Sequence, residues 1–170
     1  MPETTPEPAL VDVLREQLLE LIDGLGARMP FDEAVADFPE GAMNRWPPGV
    51  AYSPWHLLEH IRLAQRDILE YITNRDYVEL HWPEAYWPAP DATATPEGWA
   101  VTVAGFRTDQ RALRDLVADP ATDLGATIPG TPEHTILREV RLVGDHNAYH
   151  IGEFAILRQV MDTWPPDRRE

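Results

Sequence analysis

The apolar positions of this chain recur every three or four residues over four separate stretches, and nowhere alternate for long. The first stretch carries Leu10, Val13, Leu14, Leu18, Leu21, Ile22 and Leu25 and breaks around Gly24-Leu25-Gly26. The second carries Leu57, Leu58, Ile61, Ala64, Ile68 and Ile72 and stops near Asn74. The third carries Trp99, Val103, Phe106, Leu113 and Val117, and Ala118-Asp119-Pro120 ends it. The fourth carries Ile136, Val140, Val143, Ile151, Phe154, Leu157 and Met161 and stops at Trp164-Pro165-Pro166. Such spacing gathers the apolar side chains on one face of an α-helix.

Each stretch follows the same start signal: Thr5-Pro6-Glu7, Ser53-Pro54-Trp55, Thr95-Pro96-Glu97 and Thr131-Pro132-Glu133. A Ser or Thr hydroxyl caps free backbone N–H groups, and a proline at the first helical position has no N–H to leave unpaired. The glutamate that follows in three of the four suits the positive end of the helix dipole. Four amphipathic helices of this length bury their stripes only against one another, which predicts an all-α four-helix bundle. Length alone predicts one domain spanning residues 1–170, with frayed ends at about 1–7 and 165–170.

The connections from Pro30 to Tyr52 and from Asn74 to Ala94 are long for a compact bundle. The second contains His81-Trp82-Pro83-Glu84-Ala85-Tyr86-Trp87-Pro88, too aromatic for a disordered linker. It reads either as an aromatic plug over one end of the bundle or as a wall of a ligand pocket.

Composition narrows the chemistry. A net charge of −15 argues against nucleic acid, whose phosphates are met by Lys and Arg, and against an anionic membrane surface. With no cysteine there is no disulfide, no thiolate metal site and no cysteine nucleophile, so a metal would rest on His, Asp or Glu. No leader-like start and no apolar run of the ~20 residues needed to cross a bilayer is present, and a cytoplasmic location is expected.

Candidate chemistry lies in Asp145-His146-Asn147-Ala148-Tyr149-His150-Ile151-Gly152-Glu153. Residues four apart share a helix face, so His146 and His150 can reach one metal ion. Asn147 stands where a zinc peptidase of this pattern carries its glutamate base, which argues against peptidase chemistry. Both imidazoles could equally be core histidines satisfied by hydrogen bonds. The second helix adds His56 and His60, and His134 is expected in the first turn of the fourth; any of these could be a third ligand. Three imidazoles would leave an open position for water or substrate. Glu59, Asp67, Asp145 and Glu153 are candidates to orient the rings.

Trp55-His56-Leu57-Leu58-Glu59-His60 taken with the His146–His150 segment resembles the DinB-like (YfiT-like) superfamily over nearly the whole chain. The resemblance implies a bundle running up-down-down-up and a metal triad of His60, His146 and His150, leaving His56 one turn away as a pocket or surface residue. It further implies one divalent metal ion, zinc or nickel first and manganese or iron as alternatives, and a small-molecule substrate. Characterised relatives include S-transferases and an isomerase that use mycothiol, bacillithiol or glutathione. Thiol-dependent transfer to a small electrophile is therefore the leading expectation. The alternatives are metal-dependent hydrolysis of a small ester or amide, and a non-catalytic metal-binding stress-related bundle. Family members are often dimers, so a homodimer is expected.

Overall fold

A computed structural model describes residues 9–168. Helices α1 (Leu10–Ile22), α3 (Pro54–Thr73), α4 (Pro96–Ala118) and α5 (Ile136–Val160) are the four amphipathic stretches, and a short α2 (Phe31–Val35) lies in the first long connection. Ser53 accepts from His56 N–H and Thr95 from Gly98 N–H, so both caps form where the sequence places them. The Thr5-Pro6-Glu7 signal lies outside the described residues; α1 follows Ala9, which offers no side-chain cap.

The fourth signal is used differently. Pro129-Gly130 makes a turn, with Gly130 at φ +87°, and folds Thr131–Thr135 back as strand β2 against β1 (Thr127–Ile128). Thr131 bonds the Tyr71 hydroxyl at 2.5 Å, and the cap passes to Thr135, which accepts from Arg138 N–H. His134 therefore lies in β2, not in the first turn of a helix. At the other end, Pro166–Arg168 forms a single 3-10 turn tied by Arg168 to Glu33 at 2.6 Å.

Side-chain contacts give the helix directions. From α4 to α3, Thr102 meets Glu59, the Phe106 carbonyl meets Gln65 and Asp109 meets Arg66; both numberings rise, so the two run parallel. From α3 to α5, His60 meets His150, Gln65 meets Asn147 and Tyr71 meets His134, an antiparallel pair. From α1 to α4, the Ile22 carbonyl meets Gln110, Asp23 meets Arg114 and Arg15 meets the Val117 carbonyl, again antiparallel. The bundle is therefore up-down-down-up.

Two parallel neighbours need a return connection that travels the length of the bundle, about 30 Å for a 20-residue helix. That requirement explains the long segment after Asn74. It runs along α3: Tyr77 and Tyr86 hydroxyls donate to Asp67 at 2.9 and 2.7 Å, and Asn44 holds the Ala94 carbonyl at 2.8 Å.

Two apolar clusters fill the interior. One packs Leu57, Leu58, Ile61, Trp99, Phe106 and Phe154 with Phe31 and Phe38; the other packs Leu18, Ile22, Leu69, Leu113, Val117, Val140 and Val143. Gln65 of α3 and Asn147 of α5 are buried polar residues; Asn147 donates to Gln65 at 2.8 Å and Gln65 to the Phe106 carbonyl at 2.8 Å. The start of the α1 stripe stays outside: Leu10 is 75% and Val13 38% exposed. Gly144 lets α1 approach α5, because a Cβ there would lie 2.2 Å from Leu21 Cγ.

Candidate metal centre

The α3–α5 crossing brings three of the six histidines together. The second turn of α3 places His60 in the interior, 2% exposed, and α5 presents His146 and His150 one turn apart on the facing side. One nitrogen from each of the three lies within 4.8 Å of the others. His60 Nε2 is 3.2 Å from His146 Nε2 and 3.3 Å from His150 Nε2.

Hydrogen-bond logic sets the protonation of two of these rings. His60 Nδ1 lies 2.8 Å from the Tyr86 carbonyl, which can only accept, so Nδ1 carries the proton. His150 Nδ1 lies 2.7 Å from a Glu153 carboxylate oxygen, which also accepts. In the neutral rings both Nε2 atoms are then bare lone pairs, and they face each other with no hydrogen between them. A cation at the centre satisfies both. Three imidazole nitrogens at ~2.0–2.1 Å from one ion sit about 2.8–3.4 Å apart for right-angle to tetrahedral geometry, a range that contains the two Nε2 separations. The donor set thus fits a divalent ion.

His146 completes the set less tightly. Its Nδ1 is buried without a hydrogen-bond partner, and so is the neighbouring Asn147 side-chain oxygen. Burial first, and then the nearby His150 and His60, hold the His146 pKa down at about 4. His60 is likewise pushed below the ordinary imidazole range, by burial more than by anything else. Both rings are neutral at pH 7, the state a metal ligand needs.

These shifts carry a stability prediction for the protein in excess chelator. The unfolded chain takes up protons near the ordinary value of 6.5 that the folded His146 refuses until about 4, so stability falls as pH drops across that interval. A loss on the order of 1–3 kcal/mol is expected from this residue. Melting temperature should decline from pH 7 to pH 5 and decline less in His146→Leu; equal slopes in the two proteins would contradict it.

The surroundings come from the return segment. Trp87 stacks face to face on His60, centroids 3.9 Å apart and planes 4° from parallel. Tyr52 lies against Trp87 at 5.4 Å, and its hydroxyl donates to Glu153. Burial, then the bond to Glu153, pushes the Tyr52 pKa up, so the phenol keeps its proton. Tyr149, 71% exposed, meets His150 edge-on at 4.7 Å on the solvent side.

The other candidates go elsewhere. His56 is buried, and both its nitrogens are engaged, Nδ1 by the Ser53 hydroxyl at 2.7 Å and Nε2 by the Ala89 carbonyl at 3.1 Å. His81 is exposed and pairs with Glu84; His134 bonds Tyr71. Of the four carboxylates proposed to orient the rings, Glu153 alone hydrogen-bonds a triad imidazole. Glu59 binds Arg62 and Thr102, Asp67 takes two tyrosine hydroxyls, and Asp145 pairs with Arg141 at the surface. The sequence did not point to Tyr52, to the stacking role of Trp87 or to the Tyr86 carbonyl. Only the aromatic density of residues 81–88 hinted at that wall.

An up-down-down-up bundle with three converging imidazoles defines a class of helical proteins able to hold one metal ion. The family model of the DinB superfamily matches residues 15–154, and the chain belongs to that superfamily. Comparison with curated proteins and with solved structures finds no match. No helix among the described residues is long and apolar enough to cross a membrane.

Proposed function

We propose that this protein is a metal-dependent enzyme in which His60, His146 and His150 hold one divalent ion, zinc or nickel, and that it joins an external low-molecular-weight thiol to a small electrophile. The carrying observation is that the Nε2 atoms of His60 and His150 lie 3.3 Å apart while the Nδ1 of each ring already faces an acceptor, the Tyr86 carbonyl and the Glu153 carboxylate. A divalent ion on three neutral imidazoles keeps its full charge and supplies the Lewis acidity that lowers the pKa of a bound thiol toward neutrality.

The protein's own residues do the rest. Glu153 and the Tyr86 carbonyl hold the His150 and His60 rings by their Nδ1 protons. Trp87 covers one face of His60, so substrate approaches from the side marked by exposed Tyr149. The chain has no cysteine, so the sulfur must come from a second substrate. DinB superfamily membership supports the metal and leaves the reaction to experiment.

The test is turnover of a chromogenic aryl halide by the zinc- or nickel-loaded protein with glutathione, bacillithiol or mycothiol as cosubstrate. The expected result is product formation that requires both thiol and metal and is lost in His146→Ala. Hydrolysis of a small ester with no thiol requirement would replace this reading with a hydrolase. Metal binding without turnover of either substrate would leave a non-catalytic bundle.

A further inference from the structure

We propose that Tyr52 is a positioning residue for the candidate metal centre, acting on two of its three imidazoles at once. This role rests on the metal reading above, and it brings in a residue outside the four helices of the bundle. Tyr52 immediately precedes Ser53, the cap of α3, so the start of that helix fixes where its ring stands. From there it reaches α5 and the return segment.

The first arm runs through Glu153. That carboxylate has two oxygens and both are used: one takes the His150 Nδ1 proton at 2.7 Å and the other takes the Tyr52 hydroxyl. Glu153 is part-exposed and has three rotatable side-chain bonds, so a single bond to His150 would leave it free to turn toward water. The Tyr52 hydroxyl removes that freedom. With Glu153 fixed, the His150 proton is held on Nδ1 and the Nε2 lone pair stays directed at the centre. The second arm runs through Trp87: the Tyr52 ring packs on the indole, and the indole lies flat on His60. One side chain thus braces a ligand from α3 and a ligand from α5.

Tyr52→Phe separates the arms, because it keeps the ring against Trp87 and deletes the hydroxyl. Zinc affinity is measured by competition with a chromogenic chelator, and the His150 tautomer by nitrogen-15 NMR on chelator-treated protein. Tyr52→Phe should weaken zinc about 10-fold and Glu153→Gln by about 10- to 100-fold, the usual span for partners of ligating histidines. The double variant should bind no more weakly than Glu153→Gln, since the hydroxyl acts through that carboxylate. In Tyr52→Phe the His150 proton should also redistribute from Nδ1 toward Nε2, a change that a purely structural role would not produce.

Unchanged zinc affinity and unchanged tautomer in Tyr52→Phe would overturn the proposal, as would additive losses in the double variant. A wild type that binds no zinc, yet whose His150 tautomer shifts in Tyr52→Phe, would remove the metal reading and leave the orienting role standing.

Discussion

His60→Ala is expected to weaken binding of a divalent ion by two to three orders of magnitude while the bundle stays helical. Structural zinc sites with four ligands are worth ~10–16 kcal/mol, or about 2.5–4 kcal/mol for each ligand, and about 1.4 kcal/mol is a factor of ten. His60 is the ring with most to lose, since both other Nε2 atoms approach it, at 3.2 and 3.3 Å. The variant also frees the Tyr86 carbonyl and removes the surface on which Trp87 stacks, so the return segment should loosen locally. Isothermal titration with zinc measures the affinity and circular dichroism the helix content. His56→Ala is the control: it lies one turn away and is as buried, yet its nitrogens serve Ser53 and Ala89. Its zinc affinity should stay within a few-fold of wild type. Equal losses in the two variants would mean that the return segment, not the triad, governs binding.

The second large effect lies away from the site. Arg158→Leu should destabilise the protein by about 3–5 kcal/mol, because an uncompensated buried polar network is among the costliest losses a fold can suffer. Arg158 is fully buried, with 0% exposure, near the C-terminal end of α5. Its guanidinium donates to the Ala34 and Ala36 carbonyls at 2.7 Å each and to the Thr163 carbonyl at 2.8 Å, and it lies 4.0 Å over the Trp164 ring. It therefore closes the end of α5 onto α2 and the segment that follows. Leucine fills much of the volume but leaves three carbonyls without donors. For a chain of this size the melting temperature should fall on the order of 10 °C. Arg158→Lys should recover only part of the loss, since a point charge on a shorter stem cannot span three acceptors. A loss below about 1 kcal/mol in urea unfolding would show that water replaces the guanidinium at little cost. Folded Arg158→Leu should keep wild-type metal affinity, which separates stability from the site.

What could be read beforehand follows from the range of the interactions concerned. Ser53 and Thr95 were legible as caps because capping is settled within three residues. Thr131 carries the same local pattern, but the Pro129-Gly130 turn just before it imposes a hairpin, and Tyr71, from another helix, takes its hydroxyl. The hairpin itself escaped because strands of two and five residues show no readable alternation. Leu10 and Val13 fit the α1 stripe, yet they lie beyond the end of the packed interface.

The site divides in the same way. His146 and His150 were legible from helical spacing, and Glu153 stands one turn further on the same face. The choice between His56 and His60 was not available from spacing, because four residues apart they share a face and both end up buried. What separates them is which partner each meets, a carbonyl of the return segment for His56 Nε2 and the α5 pair for His60. Tyr52 and Trp87 arrive through long connections, and the Tyr86 carbonyl is a backbone group that no residue pattern marks.

The measurement that bears most directly on this account is the zinc content of untagged protein at pH 7, determined by mass spectrometry after loading and exhaustive buffer exchange. One equivalent per chain in the wild type, and none in His146→Ala, is the predicted result. No retained zinc or nickel in a folded wild type would contradict it and leave the three imidazoles as a polar cluster within a helical bundle.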